Sequence, residues 1–456
     1  MLRRLALPAG PLLAALLYFI ATGQGAGHAL AATLGMTGWC ALWWVLEPVK
    51  APVTALLPLA LFPVLGVLDA RQVAQSYGHE LILLLGGGFM LSRALERCGA
   101  HRRLALGMVR AFGGGSGRSL LFGFIAACGA LSMWISNTAT TLVMLPVALA
   151  ILQAYPDQRL QAPLILAIAY SASIGGLGTP IGSPPNLVFM QVYAETTGTR
   201  YGFLDWMSIG VPVVLLLLPL VGWWLGRGLA GSPPALLPPG GLWTPAERRV
   251  VAVFAFTALA WVLRTEPFGG WSAWLAMPGA NDAAVALLAV VAMCVVPDGR
   301  GGRLLDWETA ESIPWGALVL FGGGIALATA FQSSGLSGAL AGHLAGLGNL
   351  PLPVLLVVVV VAVLMMSEIA SNTATAVLMM PILAATGVAI GVDPALLMFP
   401  AVLAASGAFM LPVATAPNAI AYGSGLVSAQ RMFREGAMLN VLAAAIICVV
   451  CWFVFA

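Results

Sequence analysis

Two copies of one tripeptide carry the most informative chemistry in the chain. Ser136-Asn137-Thr138 and Ser371-Asn372-Thr373 each sit near the middle of an apolar stretch, Leu120 to Leu152 and Leu350 to Ala385. Hydroxyl and amide groups donate hydrogen bonds to carboxylate or sulfate and also offer oxygen to a small hard cation such as Na+. A second interruption follows each tripeptide. Gly175, Gly176, Gly178, Thr179, Pro180, Gly182, Ser183, Pro184, Pro185 and Asn186 break one long apolar run, and Gly407, Pro412, Thr415, Pro417 and Asn418 break another. Adjacent prolines remove consecutive N–H donors, so the first of these helices must open. Opened helices and hairpin tips place half-helix ends inside the chain, where an N-terminal end carries roughly +0.5 charge and free N–H groups for an anion. Free C-terminal carbonyls suit a cation. The competing reading is that Ser-Asn-Thr only caps the returning helix; two copies facing two broken helices favour a ligand role.

The elements that position these residues are membrane helices. With 60% apolar and 8% charged residues among 456, the chain cannot clothe soluble domains, which carry about 25% charge. Apolar runs give spans at 7–21, 30–46, 53–68, 81–94, 162–192, 203–225, 250–263, 282–296, 315–331, 395–422 and 437–456, eleven crossings. The first is read as a membrane helix rather than a cleavable leader, because many spans follow. The two stretches with Ser-Asn-Thr resist reading as plain crossings, because each carries the motif near its middle and the half before Ser136 has about 16 residues, roughly 24 Å, less than the ~30 Å core. They read as re-entrant hairpins. With the N-terminus inside and both hairpins returning to the side they entered, only Arg71, Arg200 and Arg264 fall outside, and the other seventeen of the 20 Lys and Arg are cytoplasmic. That asymmetry is what the positive-inside rule asks for, and it places the C-terminus outside.

The two halves repeat one another. Leu85-Gly86-Gly87-Gly88 returns as Phe321-Gly322-Gly323-Gly324 at an offset of 236, Ser136 to Thr140 as Ser371 to Thr375 at 235, Pro146 as Pro381, and Gly182 to Asn186 as Ala414 to Asn418 at 232. An odd number of crossings, five, separates the hairpins' entry sides, so the repeats are inverted in the membrane, the signature of a transporter. The Pro-rich run from Gly231 to Gly241 reads as a cytoplasmic linker between the halves.

The two Ser-Asn-Thr motifs, the stretch Ser173-Ile174-Gly175-Gly176 to Asn186, the segment Pro314-Trp315-Gly316 to Gly324, and Phe409-Met410-Leu411-Pro412-Val413-Ala414-Thr415 to Asn418 together resemble the divalent anion/sodium symporters, the DASS or INDY-type carriers of di- and tricarboxylates and sulfate. The resemblance runs through most of the chain. It implies an all-α polytopic homodimer in a bacterial inner (plasma) membrane, working as an elevator. The fixed scaffold would be 1–116 and 249–348, the moving transport domain 117–230 and 349–456, with 231–248 as the linker. Carried over by motif, Ser136, Asn137, Thr138 and Ser183 with Ser371, Asn372, Thr373 and Thr415 would form the substrate shell. Ser132, Ser136, Asn137 and Gly182 would hold one Na+, and Ser367, Ala370, Asn372 and Ala414 a second. One departure is Ala416, where many relatives carry a second proline.

Other residues take smaller roles. Glu368, with Met133 at the matching place, reads as a hydrogen-bonded hairpin residue, Asp282 as a helix cap, and His28, His79, His101 and His343 as interfacial. The six cysteines, Cys40, Cys98, Cys128, Cys294, Cys448 and Cys451, read as packing residues. A hydrolase using Ser136 or Ser371 is disfavoured, since no Lys, Arg, His, Asp or Glu lies between Ser119 and Tyr155 to act as base, and between Pro351 and Gly391 only Glu368 does. An anion exchanger on the same fold would need fixed positive charge at the site. Neither hairpin nor broken helix contains Lys or Arg, so the charge that balances a dianion is expected from bound cations, favouring symport of a C4 dicarboxylate such as succinate or malate over exchange, citrate or sulfate.

Overall fold

The computed structural model describes residues 2–455 except 113–114, 156, 230, 234–241, 266–269 and 345–349. Among the described residues the regular structure is helix, with one isolated bridge between Pro297 and Arg303. Part of the expected linker, residues 234–241, lies outside them. The helix after it starts at Pro245, ahead of the expected boundary at 249, because Thr244 and Glu247 form a reciprocal capping box with Pro245 in the first turn.

Each apolar span read from the sequence overlaps one helix or one broken pair. Among the described residues seven helices are long and apolar enough by themselves to cross a bilayer. Five are Leu5–Gly23, His28–Leu46, Phe203–Gly228, Trp315–Ser333 and Ala429–Phe455. Against the expectation that neither Ser-Asn-Thr stretch is a plain crossing, the other two are Leu352–Ile369 and Asn372–Ile390 on either side of the second motif; the two helices around the first motif are shorter. The chain is a multi-pass membrane protein. Leu12, Phe19, Leu215, Leu288, Val441 and Phe453 are among many large apolar side chains exposed on the outside of the bundle, a surface suited to lipid tails.

Hairpin 1 comprises Gly117–Ser132 and Asn137–Ala154, and hairpin 2 comprises Leu352–Ile369 and Asn372–Ile390. Both turn at Ser-Asn-Thr. The first broken span runs Gln161–Gly175 and resumes at Pro184–Thr197; the second runs Ala395–Ala405 and resumes at Ala416–Gly423. Each restart has Pro within its first two positions, where a missing N–H costs nothing.

The hairpins and broken spans pack on one another and on Phe203–Leu225 and Ala429–Phe455. Rings of Phe189, Trp206 and Phe399, with centroids 4.8 to 5.7 Å apart, join both broken spans to Phe203–Leu225. A second group forms around Glu80–Cys98, which packs on Asp282–Val295 and Pro245–Val262, and around Trp315–Ser333, which packs on Ala51–Thr54, Leu56–Val64 and Ala70–Tyr77. The groups meet most extensively where Ala100–Phe112 packs on Gly117–Ser132 and Leu336–Leu344 on Asn372–Ile390, and also where Trp315–Ser333 touches Pro184–Thr197 and Asn372–Ile390.

Among the helices that the apolar runs do not mark, Ala70–Tyr77 and Ala100–Phe112 are short and polar on one side. Asp282 is not the cap expected of it. Asn281 caps the helix by accepting from Ala284 N at 2.8 Å, and Asp282 instead pairs with Arg264 at 2.6 Å.

Candidate substrate and cation site

Four helices begin at one place: Asn137–Ala154, Asn372–Ile390, Pro184–Thr197 and Ala416–Gly423. Their N-cap residues, Ser136, Ser371, Ser183 and Thr415, all line a single cavity of about 550 Å³, together with Asn137, Thr138, Gly182, Asn372, Thr373 and Ala414. Ten of the residues expected at the site are thus brought together on one surface. Four N-terminal ends converge there, each with roughly +0.5 of helix-dipole charge and backbone N–H groups that no preceding turn accepts.

The serines of the tripeptides do serve as caps. Ser136 Oγ accepts from Ala139 N at 3.2 Å, and Ser371 Oγ from Ala374 N at 3.3 Å. The neighbouring asparagines do something else. Asn137 Oδ1 accepts from Ser132 Oγ at 2.7 Å, and in the second half Ser367 Oγ lies 2.8 Å from Asn372 Oδ1. Ser367 Oγ also donates to the carbonyl of Ala405. One hydroxyl hydrogen cannot serve two acceptors, so the contact is satisfied when the Asn372 amide turns its NH2 to Ser367 and frees its oxygen. Ser132 and Ser367 are fully buried beneath the cavity rather than on its wall, and Ala370 closes the helix before the second motif. Each Ser–Asn pair therefore brings a hydroxyl and an amide oxygen to a tip, with Asn137 Oδ1 facing the buried Ser132 and the freed Asn372 Oδ1 turned away from Ser367, and oxygen is the donor type that suits Na+.

The unwound loops are built alike. Asn186 Nδ2 donates to the carbonyls of Gly176 and Thr179, both at 2.8 Å, and Asn418 Nδ2 to those of Ala408 and Leu411 at 3.1 and 3.0 Å. These positions match at the offset of 232, so the repeat extends to individual hydrogen bonds.

The loops differ in how they are held. A Cβ on Gly176 would lie 2.5 Å from Asn137 Oδ1, and one on Gly182 would lie 2.7 Å from Gly176 O. The first loop thus needs glycine at both places to draw so close. Thr179 Oγ1 pins it further by donating to Met133 O. The second loop has Ala408 and Ala414 there, and Glu368 holds it: Oε1 accepts from Met410 N at 2.9 Å and Asn440 Nδ2 at 2.7 Å, and Oε2 from Leu411 N at 3.0 Å. Glu368 is the hydrogen-bonded hairpin residue expected. Ala416 opens the restarted helix, with Thr415 Oγ1 accepting from Asn418 N at 3.2 Å; Ser183 makes no such cap bond.

The far wall was not legible in the motifs. Phe89, Ser92, Arg93 and Glu96 of Glu80–Cys98, His101, and Pro314 and Ala317 complete the cavity. Arg93 Nη1 pairs with Glu96 Oε2 at 2.7 Å, and Ser92 Oγ donates to Glu96 Oε1 at 3.2 Å. The i, i+3 spacing of Arg93 and Glu96 was the available signal, but only the fold tells which pocket they face. His101, expected at an interface, is buried on this wall with Nδ1 2.7 Å from Leu95 O. Among the described residues no cluster of His, Cys, Asp and Glu could hold a transition metal.

Residues 41–404 match the family model described as citrate transporter. Two curated relatives, both named sodium-dependent dicarboxylate transporter SdcS, come from Staphylococcus saprophyticus and Staphylococcus aureus. The first is 38% identical over 446 residues and the second 37% over 447, each alignment covering 92% of this chain and 85% of the relative. Among solved structures, the YdaH transporter of Alcanivorax borkumensis superposes with a TM-score of 0.61 over 85% of this chain and 86% of that one, at 16% identity. MtrF of Neisseria gonorrhoeae does so at 0.58 over 93% and 95%, at 15% identity. These two likenesses speak for the fold.

Proposed function

The chain belongs to the divalent anion/sodium symporter family, a family of membrane carriers and not of enzymes, and we propose that it is a sodium-coupled symporter of a C4 dicarboxylate. The observation that carries this reading is the charge of the cavity. Four helix N-termini and the polar groups of Ser136 to Thr138, Ser183, Ser371 to Thr373 and Thr415 face it. The fixed guanidinium on its wall, Arg93, is paired with Glu96 and stands on the opposite helix group. Helix ends favour an anion, yet a desolvated dianion needs full positive charges, and two Na+ at the Ser132–Asn137 and Ser367–Asn372 pairs would supply them. Two equivalent Ser-Asn-Thr tips, each suited to one carboxylate, match a short dicarboxylate. The relatives' name points the same way.

The packing supports an elevator motion. Hairpins, broken spans, Phe203–Leu225 and Ala429–Phe455 would travel as one body, 117–230 with 349–456, against 1–116 and 249–348, with 231–248 joining the halves. Their contacts run largely within each group. The cavity reaches Arg93, whose side chain is 37% exposed. Arg93 is on the side assigned to the cytoplasm, so this conformation is the inward-facing one. Two copies would pair through the stationary part, with the N-terminus cytoplasmic and the C-terminus outside in a bacterial plasma membrane.

Purified protein in proteoliposomes tests the reading. Labelled succinate should accumulate under an inward sodium gradient with no internal anion, and unlabelled malate or fumarate should compete better than citrate or sulfate. Uptake that ignores sodium and demands internal dicarboxylate would make it an exchanger.

A further inference from the structure

On the side assigned to the cytoplasm, the second helix group carries a basic cup that the transport site does not use. Three helix ends bound it. Arg97 stands at the close of Glu80–Cys98, Thr244 opens Pro245–Val262, and the loop after Asp282–Val295 brings Asp298, Arg300 and Arg303 around a cavity of about 210 Å³. The loop is a tight turn: Asp298 N donates to Gly302 O and Leu304 N to Val296 O, both at 3.0 Å, with Gly299 and Gly301 at positive φ. Asp298 Oδ1 accepts from Arg300 N at 2.7 Å and Gly302 N at 3.0 Å, so this carboxylate shapes the turn. The arginines of the loop are held by backbone instead of acids. Arg303 Nη1 donates to Val295 O, and Arg249 Nη1, beside the loop, to Pro297 O, both at 2.6 Å. Among the described residues no Asp or Glu pairs with Arg249, Arg300 or Arg303, whereas Arg97 pairs with Asp306. Four guanidiniums against the carboxylates of Asp298 and Asp306 leave a surplus of two positive charges.

We infer that this cup binds the phosphate of an anionic phospholipid, whose acyl chains lie on the outward faces of Pro245–Val262 and Asp282–Val295. Guanidinium forks match phosphate oxygens in geometry and charge, and basic pockets at the cytoplasmic ends of membrane helices suit acidic head groups. A free phosphate shares that chemistry, but the surroundings favour the lipid. Trp243, next to Thr244, and Trp307, next to Asp306, are both exposed, and tryptophan settles at the head-group layer of a bilayer. Further along the two helices, Phe256 and Leu259 on one and Leu288, Val291 and Val295 on the other expose large apolar surface where acyl chains run. A zwitterionic lipid brings its own cation and gains less from the surplus charge. Glu80–Cys98, which ends at the cup, also carries Arg93 and Glu96 of the transport cavity, so a lipid seated here steadies the fixed wall of that cavity.

Binding of defined lipids to the purified full-length protein in a neutral detergent and phosphate-free buffer, read by native mass spectrometry and thermal melting, tests it. Dioleoylphosphatidylglycerol should bind more tightly than dioleoylphosphatidylcholine and raise the melting temperature further, and the preference should shrink at high salt. Arg300→Gln combined with Arg303→Gln should weaken phosphatidylglycerol binding about tenfold or more. Arg431→Gln combined with Arg434→Gln removes the same charge from exposed positions on Ala429–Phe455 and should leave that binding within roughly threefold of wild type. Arg300→Gln alone stands in if the first pair does not fold, because among the described residues the Arg300 guanidinium makes no hydrogen bond, and it should cost roughly fivefold. Equal binding of the two lipids, or an equal loss from the Arg431 and Arg434 pair, would overturn the site. A melting shift with inorganic phosphate or glycerol 3-phosphate that phosphatidylglycerol does not exceed would give the cup to a free phosphate and overturn the lipid assignment.

Discussion

Within each tripeptide the serine and the asparagine have separate jobs, and substitution should separate them. Asn137 and Asn372 are held by the buried hydroxyls of Ser132 and Ser367 and stand on the cavity wall. Asn137→Ala and Asn372→Ala should each cost roughly tenfold or more in succinate affinity at fixed sodium, because an unsatisfied desolvated contact costs about 1 to 3 kcal/mol. Ser136→Ala and Ser371→Ala remove a cap and should lower stability by about 1 kcal/mol as well. Calorimetric succinate binding beside thermal melts on the same purified variants distinguishes the two. Near-normal binding with lowered melting in the asparagine variants would make the motifs structural caps. The residues facing the cavity were legible because hydroxyl and amide side chains in an apolar run are conspicuous. The partners Arg93, Glu96 and His101 were not, because a charge near a span end looks like any interfacial charge until the fold turns it inward. Asn186 and Asn418 were visible as repeat landmarks, but their bonds to four loop carbonyls emerge only when the helices are opened in three dimensions.

The glycine triplets show how one element can serve two neighbours. A Cβ on Gly323 would lie 2.7 Å from the backbone oxygen of Ala55 and one on Gly87 2.7 Å from Ala286 Cβ, so the middle glycine of each triplet lets helices of the same group touch. The third glycine faces the other group: a Cβ on Gly324 would lie 2.7 Å from Val377 Cγ2, and one on Gly88 3.4 Å from Ile181. If the groups slide, bulk at the third position should hinder motion and bulk at the second should hinder folding. Gly324→Val should slow succinate uptake several-fold while sodium-dependent succinate binding to the purified protein persists. Gly323→Val, which meets backbone, should lower stability by the roughly 1 to 3 kcal/mol typical of overpacking and so lower the melting temperature. Binding and transport lost in parallel in Gly324→Val would argue against a sliding surface there. At this scale the sequence was most informative where helices break, since Pro184, Pro185 and Pro417 mark each restart. It was silent on Ala70–Tyr77 and Ala100–Phe112, which are too short and too polar to register as spans and acquire their place by packing against longer helices.

For the whole molecule, the inverted repeat and the uneven spread of basic residues make a topology that labelling can check. Position 232, in the linker between halves, is unsuitable, because Ser232 is buried and its Oγ accepts from Gly117 N at 2.9 Å. Leu242, which is 92% exposed, and exposed Thr199 are better sites. In a cysteine-free background, Leu242→Cys should react with an impermeant maleimide only from the cytoplasmic side and Thr199→Cys only from outside. The reverse pattern would invert the orientation and, with it, the inward-facing assignment.

On the side assigned to the exterior, polar contacts tie the two helix groups together. Arg200, just after the first broken span, pairs with Glu80 of the facing group at 2.9 Å, and Asn281 Nδ2 donates to the other Glu80 oxygen at 3.1 Å. Thr329 Oγ1 donates to Glu195 Oε1 at 3.3 Å nearby. These contacts can exist only while the proposed moving body stands where it does here, so they bias the equilibrium toward the inward-facing state. The bias is small, because the Arg200 side chain is 75% exposed and a solvated ion pair is worth about 0 to 1 kcal/mol. Glu80→Gln should therefore shift the balance by no more than about fivefold, and less at high salt. A cysteine at Ala139, which lines the cavity without belonging to the proposed ligand set, reports that balance. With Glu80→Gln its labelling rate should fall from the cytoplasmic side and rise from the exterior, the ratio moving up to about fivefold in low salt. An identical ratio with and without Glu80 at low ionic strength would mean that the pair only decorates the surface, and that helix packing between the two groups sets the resting state.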